Sequence, residues 1–169
     1  VGATKWRPLK GALLQKVMDT GQFPSQSIQD YLESLNRNNV CIIGIESVPG
    51  IENLDEILRV DGIDGIFVGP NDLSISLGIP NQYDHPDYES ALRKIISICK
   101  THNTPTLIHG MSVDITDKWL REGSRFILHS NDQRIMHNGF KAEFDKIKAT
   151  AAELGEAPTE KVGKSKEIL

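Results

Sequence analysis

Cysteine is scarce in this 169-residue sequence: Cys41 and Cys99 are the only two, and both sit within apolar stretches. They read as reduced core positions of a cytosolic protein, which excludes a disulfide framework or a thiolate metal site. Aromatic side chains make up only 6% of residues, and the net charge is −4. No basic stripe is present to meet a phosphate backbone, so nucleic acid is not an expected partner. Long hydrophobic runs are missing as well. None approaches the roughly 20 residues that span a bilayer, and no signal-peptide pattern opens the sequence. A cytoplasmic protein without membrane contact is the expectation. An initiator methionine is also lacking: the chain opens Val1-Gly2-Ala3-Thr4-Lys5-Trp6-Arg7-Pro8, which reads as the interior of a longer protein.

Against these absences stands a regular rhythm, in a chain long enough to bury one sizeable core. Residues 1–39 carry no strand pattern and read as a helical lead-in. Leu9 to Met18 has helical spacing with Leu13, Leu14 and Val17 on one side, and Ile28 to Leu35 forms a second short helix capped by Ser25 or Ser27. From residue 40 onward, apolar runs alternate with amphipathic stretches. Strands are predicted at 40–46, 63–69, 105–110 and 125–130, and helices at 50–60, 86–102, 114–122 and 132–154. A short polar turn and a loop from Gly78 to His85 follow the second strand. The helix over 86–102 is the clearest, because Tyr88, Ala91, Leu92, Ile95, Ile96 and Cys99 recur at i, i+3, i+4 and i+7. Residues 156–169, with Pro158, Gly163 and several charges, read as a flexible C-terminal tail.

Four short apolar strands alternating with helices predict an α/β fold with a parallel sheet covered on both faces. A small doubly wound sheet and half of a (β/α)8 barrel both satisfy this pattern, and periodicity does not separate them. In either case ligands gather at the carboxyl ends of the strands.

Two acids stand at those ends. Glu46 closes the run Val40 to Ile45, and Asp72 follows the run Ile63 to Val68 through Gly69-Pro70-Asn71. Parallel neighbouring strands bring such positions together, and two carboxylates there form a ligand pair for a hard divalent cation. Gly69 lets the backbone approach a ligand closely, and backbone N–H groups in the turn can meet an anion. No lysine stands at a strand end.

The competing structural reading is that each acid merely caps the next helix. Asp61 and Asp64 flank a turn glycine and read as solvated, and Asp55 and Glu56 read as outer-face helix residues. His109 and His129 read as hydrogen-bonded wall residues, His85 and His102 as caps or surface residues, and Trp6 and Trp119 as packing residues.

The segments Ile45-Glu46-Ser47, Asn53 to Leu58, Val60 to Ser74 with its Gly69-Pro70-Asn71-Asp72, and Ser76-Leu77-Gly78 closely resemble the HpcH/HpaI aldolase family. The resemblance covers about residues 38–148, and the separation of the two acids, 72 − 46 = 26, is the family's. It implies a (β/α)8 TIM barrel of which residues 40–155 are the last four β/α units. It also implies a class II aldolase, a metal-dependent lyase cleaving a 4-hydroxy-2-oxo acid to pyruvate and an aldehyde by way of a metal-stabilised pyruvate enolate. Glu46 and Asp72 inherit the role of ligands to Mg2+ or Mn2+, and Gly69, Pro70 and Asn71 that of the segment receiving the pyruvate carboxylate. A homo-oligomer is implied, a hexamer built as a trimer of dimers exchanging C-terminal helices, with helix 132–154 as the candidate. Oxaloacetate decarboxylases like macrophomate synthase and citrate-lyase β-like enzymes remain as alternatives, as does a non-catalytic half-barrel.

The resemblance has departures. The family's usual glutamine two residues before the metal glutamate is Gly44 here. Its catalytic histidine, that histidine's aspartate partner and a carbonyl-polarising arginine belong to the first half of the barrel. No general acid or base is therefore assigned, and His109 is not the counterpart of that histidine.

Overall fold

A computed structural model describes residues 1–155, so the tail expected at 156–169 lies outside the described residues. The chain divides into two compact units, one from Val1 to His129 and the other from Ser130 onward.

The first unit opens with three helices, α1 (Gly2–Lys5), α2 (Gly11–Thr20) and α3 (Gln26–Asn36). Ser25 caps α3 by accepting the Ile28 N–H at 3.3 Å. Val17 and Leu32 are buried, and Trp6 packs edge-on against Phe23. Lys5 ties this segment to the sheet by donating to Asp64 at 2.5 Å and to the Asn39 carbonyl at 2.8 Å. Asp64 in turn accepts the Cys41 N–H at 2.7 Å. The aspartate expected to be merely solvated thus joins the entries to the first two strands.

Strands β1 (Ile42–Ile45), β2 (Gly65–Val68), β3 (Thr106–Gly110) and β4 (Phe126–His129) form one parallel sheet in the order β1-β2-β3-β4. This order separates the two architectures that periodicity left open. Parallel crossovers are right-handed, so strands laid down in sequence place every connecting helix on the same face. A doubly wound sheet needs a reversal of strand order, and none occurs here. The sheet is part of a (β/α)8 barrel.

Side chains alternate across a strand. Ile45, Ile66, Val68 and Ile108 enter a core with Leu54, Leu73, Leu92, Ile95 and Trp119 from the helices. The opposite face carries Ile42, Phe126 and Leu128, each between 39% and 44% exposed. Coverage of both faces was expected, but the described helices of this unit cover only one. Cys41 and Cys99 are buried and free, and burial pushes the Cys99 thiol up.

The connecting helices explain where the sequence pattern misled. The stretch expected as one helix over 50–60 is two, α4 (Val48–Glu52) and α5 (Leu54–Ile57). The break falls at Asn53, whose side chain donates to the Pro49 carbonyl at 2.8 Å and whose φ and ψ are −93° and 3°. Asparagine commonly bonds local backbone in this way and competes with helix continuation. The expected polar turn after β2 is a helix, α6 (Pro70–Ser76), with proline in its first turn, where its fixed φ suits a start and its missing N–H costs nothing. Helix α7 (Pro86–Thr101) begins at the His85 cap and buries all six positions of its apolar stripe. Helix α8 (Val113–Glu122) is capped by Ser112 and ends at Gly123 in the left-handed region. His102 at the end of α7 lies 2.8 Å from Asp55, which also pairs with Arg59 at 2.6 Å.

Charges lock α7 to α8. Arg93 bridges Glu89 at 3.1 Å and Glu122 at 3.2 Å, and Lys118 also donates to Glu89, over the buried ring of Trp119. The Lys118 ammonium holds the Glu89 carboxyl below its ordinary value of 4.5, aided by Arg93 and opposed by burial. A carboxyl depressed in the folded state contributes stability above its unfolded pKa and loses it as pH falls through the folded one. Unfolding midpoints are therefore expected to be level at neutral pH and to decline below 4.5. Glu89→Gln should lower the plateau and remove part of the acid decline; an unaltered acid limb in that variant would contradict the assignment.

The second unit contains α9 (Asp132–Glu153), capped by Asn131, which accepts the Arg134 N–H at 2.8 Å. Met136, Phe140, Phe144 and Ile147 follow one another at helical spacing and are each more than half exposed. Among the described residues no helix is long and apolar enough to cross a membrane.

Candidate active site

The carboxyl ends of β1 and β2 carry the site. The ladder pairs Ile45 with Val68, so Glu46 and Gly69 leave the sheet side by side, and the Gly69 N–H reaches the Ile45 carbonyl at 3.4 Å. The Glu46 side chain folds over Gly69. A Cβ at Gly69 would lie 2.6 Å from Glu46 Cγ and 2.7 Å from both Cδ and Oε1. The φ of Gly69 is −77°, which any residue adopts. Glycine is needed here for space and not for backbone freedom. Gly44 lies under the same carboxylate, its Cβ position 3.1 Å from Glu46 Oε1. The departure from glutamine at that place leaves room for the glutamate to fold back.

Asp72 lies in the first turn of α6, four residues past Val68. Glu46 and Asp72 are both exposed. Helix capping does not occupy them: Ser47 caps α4 by accepting the Gly50 N–H at 3.2 Å, and the α6 cap is Gly69 itself. Among the described residues no hydrogen bond or ion pair engages either carboxylate. Asn71 is in the same first turn, where its N–H and that of Asp72 have no carbonyl within the helix to donate to. Its side chain is held by Tyr83, whose hydroxyl lies 2.5 Å from Asn71 Oδ1. Tyr83 is the residue that sequence reasoning missed. It lies 12 positions away in an irregular loop, where no periodicity marks it. Its ring packs edge-on against Tyr88, whose hydroxyl burial pushes up to about 12. Helix α6 is fixed to α4 by Val48 N–H donating to Ser76 Oγ at 3.0 Å.

Two exposed carboxylates are hard oxygen donors, and Mg2+ is held by one or two carboxylates with water and substrate completing its shell. Among the described residues no group of three or more potential metal-ligating His, Cys, Asp or Glu side chains forms. Glu46 and Asp72 are the oxygen donors that an open site at this edge would use.

The neighbouring strand ends are structural. His129 Nδ1 lies 2.8 Å from Thr116 Oγ1, which donates to the Ser112 carbonyl at 2.9 Å. A Cβ at Gly110 would fall 2.1 Å from Thr116 Oγ1 and 3.1 Å from its Cα. Gly110→Ala must push α8 off β3 and is expected to cost about 1–3 kcal/mol, read as a lower urea midpoint with an unchanged slope. A midpoint equal to wild type would show that α8 yields freely.

A parallel sheet of sequential β/α units is the architecture of a TIM barrel, and both acids stand at the carboxyl edge where such barrels gather their ligands. The family model described as HpcH/HpaI aldolase/citrate lyase matches residues 12–138, and the chain belongs to that family. A 5-keto-4-deoxy-D-glucarate aldolase from Escherichia coli O6:H1 is 31% identical over 122 residues, covering 72% of this chain and 48% of the relative. The chain spans about half the length of the curated relatives it matches. Among solved structures, a HpcH/HpaI aldolase/citrate lyase family protein from Burkholderia cenocepacia J2315 aligns with a TM-score of 0.67 at 25% identity, over 82% of this chain and 52% of the other. Macrophomate synthase aligns with a TM-score of 0.58 at 26% identity, over 74% and 44% respectively.

Proposed function

We propose that the protein is a carbon–carbon lyase that cleaves a 4-hydroxy-2-oxo acid to pyruvate and an aldehyde with the help of a divalent cation. The observation that carries this reading is the pair of uncommitted carboxylates, one of them folded over Gly69 at the head of the Gly69–Asp72 segment. Glu46 and Asp72 would hold Mg2+ or Mn2+. Bound there, such a cation polarises the 2-oxo group and takes up the charge that bond cleavage releases. Gly69, Pro70 and Asn71 shape the floor on which the substrate carboxylate rests, with the first-turn amides of Asn71 and Asp72 as donors. No proton-transferring group is assigned to the described residues. The exposed stripe on α9 supports packing against a second copy, in keeping with a homo-oligomer.

The test uses the full-length polypeptide that carries this sequence. With Mn2+ in D2O, the methyl protons of pyruvate should exchange, EDTA should stop the exchange, and restored Mn2+ should revive it. Borohydride with pyruvate should trap no adduct. Exchange that survives chelation, or a trapped adduct, would overturn the reading. The likeness to macrophomate synthase favours comparing oxaloacetate with 4-hydroxy-2-oxo acids in the same assay, since decarboxylation would use the same two acids.

A further inference from the structure

Asn71 stands between the glycine that Glu46 covers and Asp72, and it is gripped from two sides. On the backbone side, buried Ser74 donates to the Asn71 carbonyl at 2.7 Å and accepts the Asn81 N–H at 3.1 Å. On the side-chain side, the Tyr83 hydroxyl lies 2.5 Å from Asn71 Oδ1 and 3.0 Å from Asn81 Oδ1. Asn71, Ser74, Asn81 and Tyr83 are therefore gathered into one polar cluster, in which the single Tyr83 proton goes to Asn71 Oδ1, the nearer of the two amide oxygens. Asn81 reaches its place with a positive φ of 59°, a conformation asparagine tolerates better than most residues. Buried Tyr88 on α7 braces the Tyr83 ring edge-on at 5.6 Å.

The Tyr83 hydroxyl donates its proton to Asn71 Oδ1, so the amide oxygen, and not the NH2, is the group turned toward Tyr83. With its oxygen committed, Asn71 keeps two N–H donors on Nδ2, and among the described residues no acceptor takes them. A fixed, uncommitted donor pair beside Asp72 is suited to an anionic oxygen.

We propose that Tyr83 is a positioning residue that turns the Asn71 carboxamide so that its N–H groups receive the carboxylate of the bound 2-oxo acid. This deepens the function proposed above and rests on it. Tyr83 then sets affinity for the anionic substrate and leaves the metal untouched. Tyr83→Phe keeps the ring against Tyr88 and removes only the hydroxyl.

The experiment uses the Mn2+-loaded full-length polypeptide and pyruvate as probe. Tyr83→Phe is expected to raise the pyruvate Kd about five- to tenfold, the value of one positioned hydrogen bond, and to raise KM with kcat unchanged. Its Mn2+ Kd and unfolding midpoint should match wild type. Asn71→Ala should weaken pyruvate at least as much, and the double variant should be no weaker than Asn71→Ala alone, because the hydroxyl acts only through that amide. A wild-type pyruvate Kd in Tyr83→Phe, or losses that add in the double variant, would overturn the proposal. Glu46→Gln run in parallel keeps the two readings apart. If it binds Mn2+ like wild type, the metal site itself is wrong; if it loses Mn2+ while Tyr83→Phe loses nothing, only the role of Tyr83 fails.

Discussion

Glu46→Gln and Asp72→Asn are each expected to weaken Mn2+ binding by about 100-fold or more, with no loss of folded protein. Each change keeps the size of the side chain and one oxygen donor but removes a charge. Hard divalent cations depend on that charge, and even the partners that orient a metal's ligands change affinity about 10- to 100-fold. The fold should not notice, because neither carboxylate caps a helix or pairs with a described residue, and Ser47 carries the α4 cap. Mn2+ titration followed by electron paramagnetic resonance, alongside thermal unfolding, reads both effects. Affinity within a factor of about three of wild type in either variant would remove that residue from the metal site.

Gly69→Ala should mimic the loss of Glu46 without touching it. The added methyl would stand 2.6–2.7 Å from Glu46 Cγ, Cδ and Oε1, so the glutamate must swing away. The backbone at Gly69 already has an ordinary φ of −77°, and Glu46 is an exposed, flexible side chain. The stability cost is therefore expected to stay below about 1 kcal/mol, within the range of substitutions that strain no core. On the proposed metal site, affinity should nevertheless fall about 10- to 100-fold, because a carboxylate moved by an ångström would no longer share an ion with Asp72. Unfolding midpoint and Mn2+ titration of this variant test the geometry separately from the charge. A variant that binds Mn2+ as tightly as wild type would mean that Glu46 does not act from its place over Gly69.

Much of this was legible in the sequence, and the reasons for the remainder are physical. The α7 stripe was readable because all six of its apolar positions face one core. Glu46 and Asp72 stood out in the sequence as acids closing apolar runs; their place at the carboxyl edge of the sheet was legible, whereas their freedom from helix capping was not. The α6 helix was not, because Pro70, Asn71 and Asp72 are all turn formers and its two buried residues, Leu73 and Ser74, are adjacent and show no helical period. The division at Asn53 rests on one side-chain bond to a carbonyl that no periodicity encodes. The barrel character depended on the order of strands, a property of the assembled sheet. The contact between residues 46 and 69, the hold of Tyr83 on Asn71 and the bond from Cys41 to Asp64 join places distant in the chain. A pattern read along one dimension does not show them.

The unbroken succession β1, β2, β3, β4 also bears on how the molecule is made. Each of β2, β3 and β4 docks beside the strand synthesised just before it. Loop closures of this kind are short and quick compared with those of interleaved sheets. Such a chain can condense unit by unit while it emerges from the ribosome. On that path the Glu46 position is laid down first, and its surroundings are finished only when the loop bearing Tyr83 has followed.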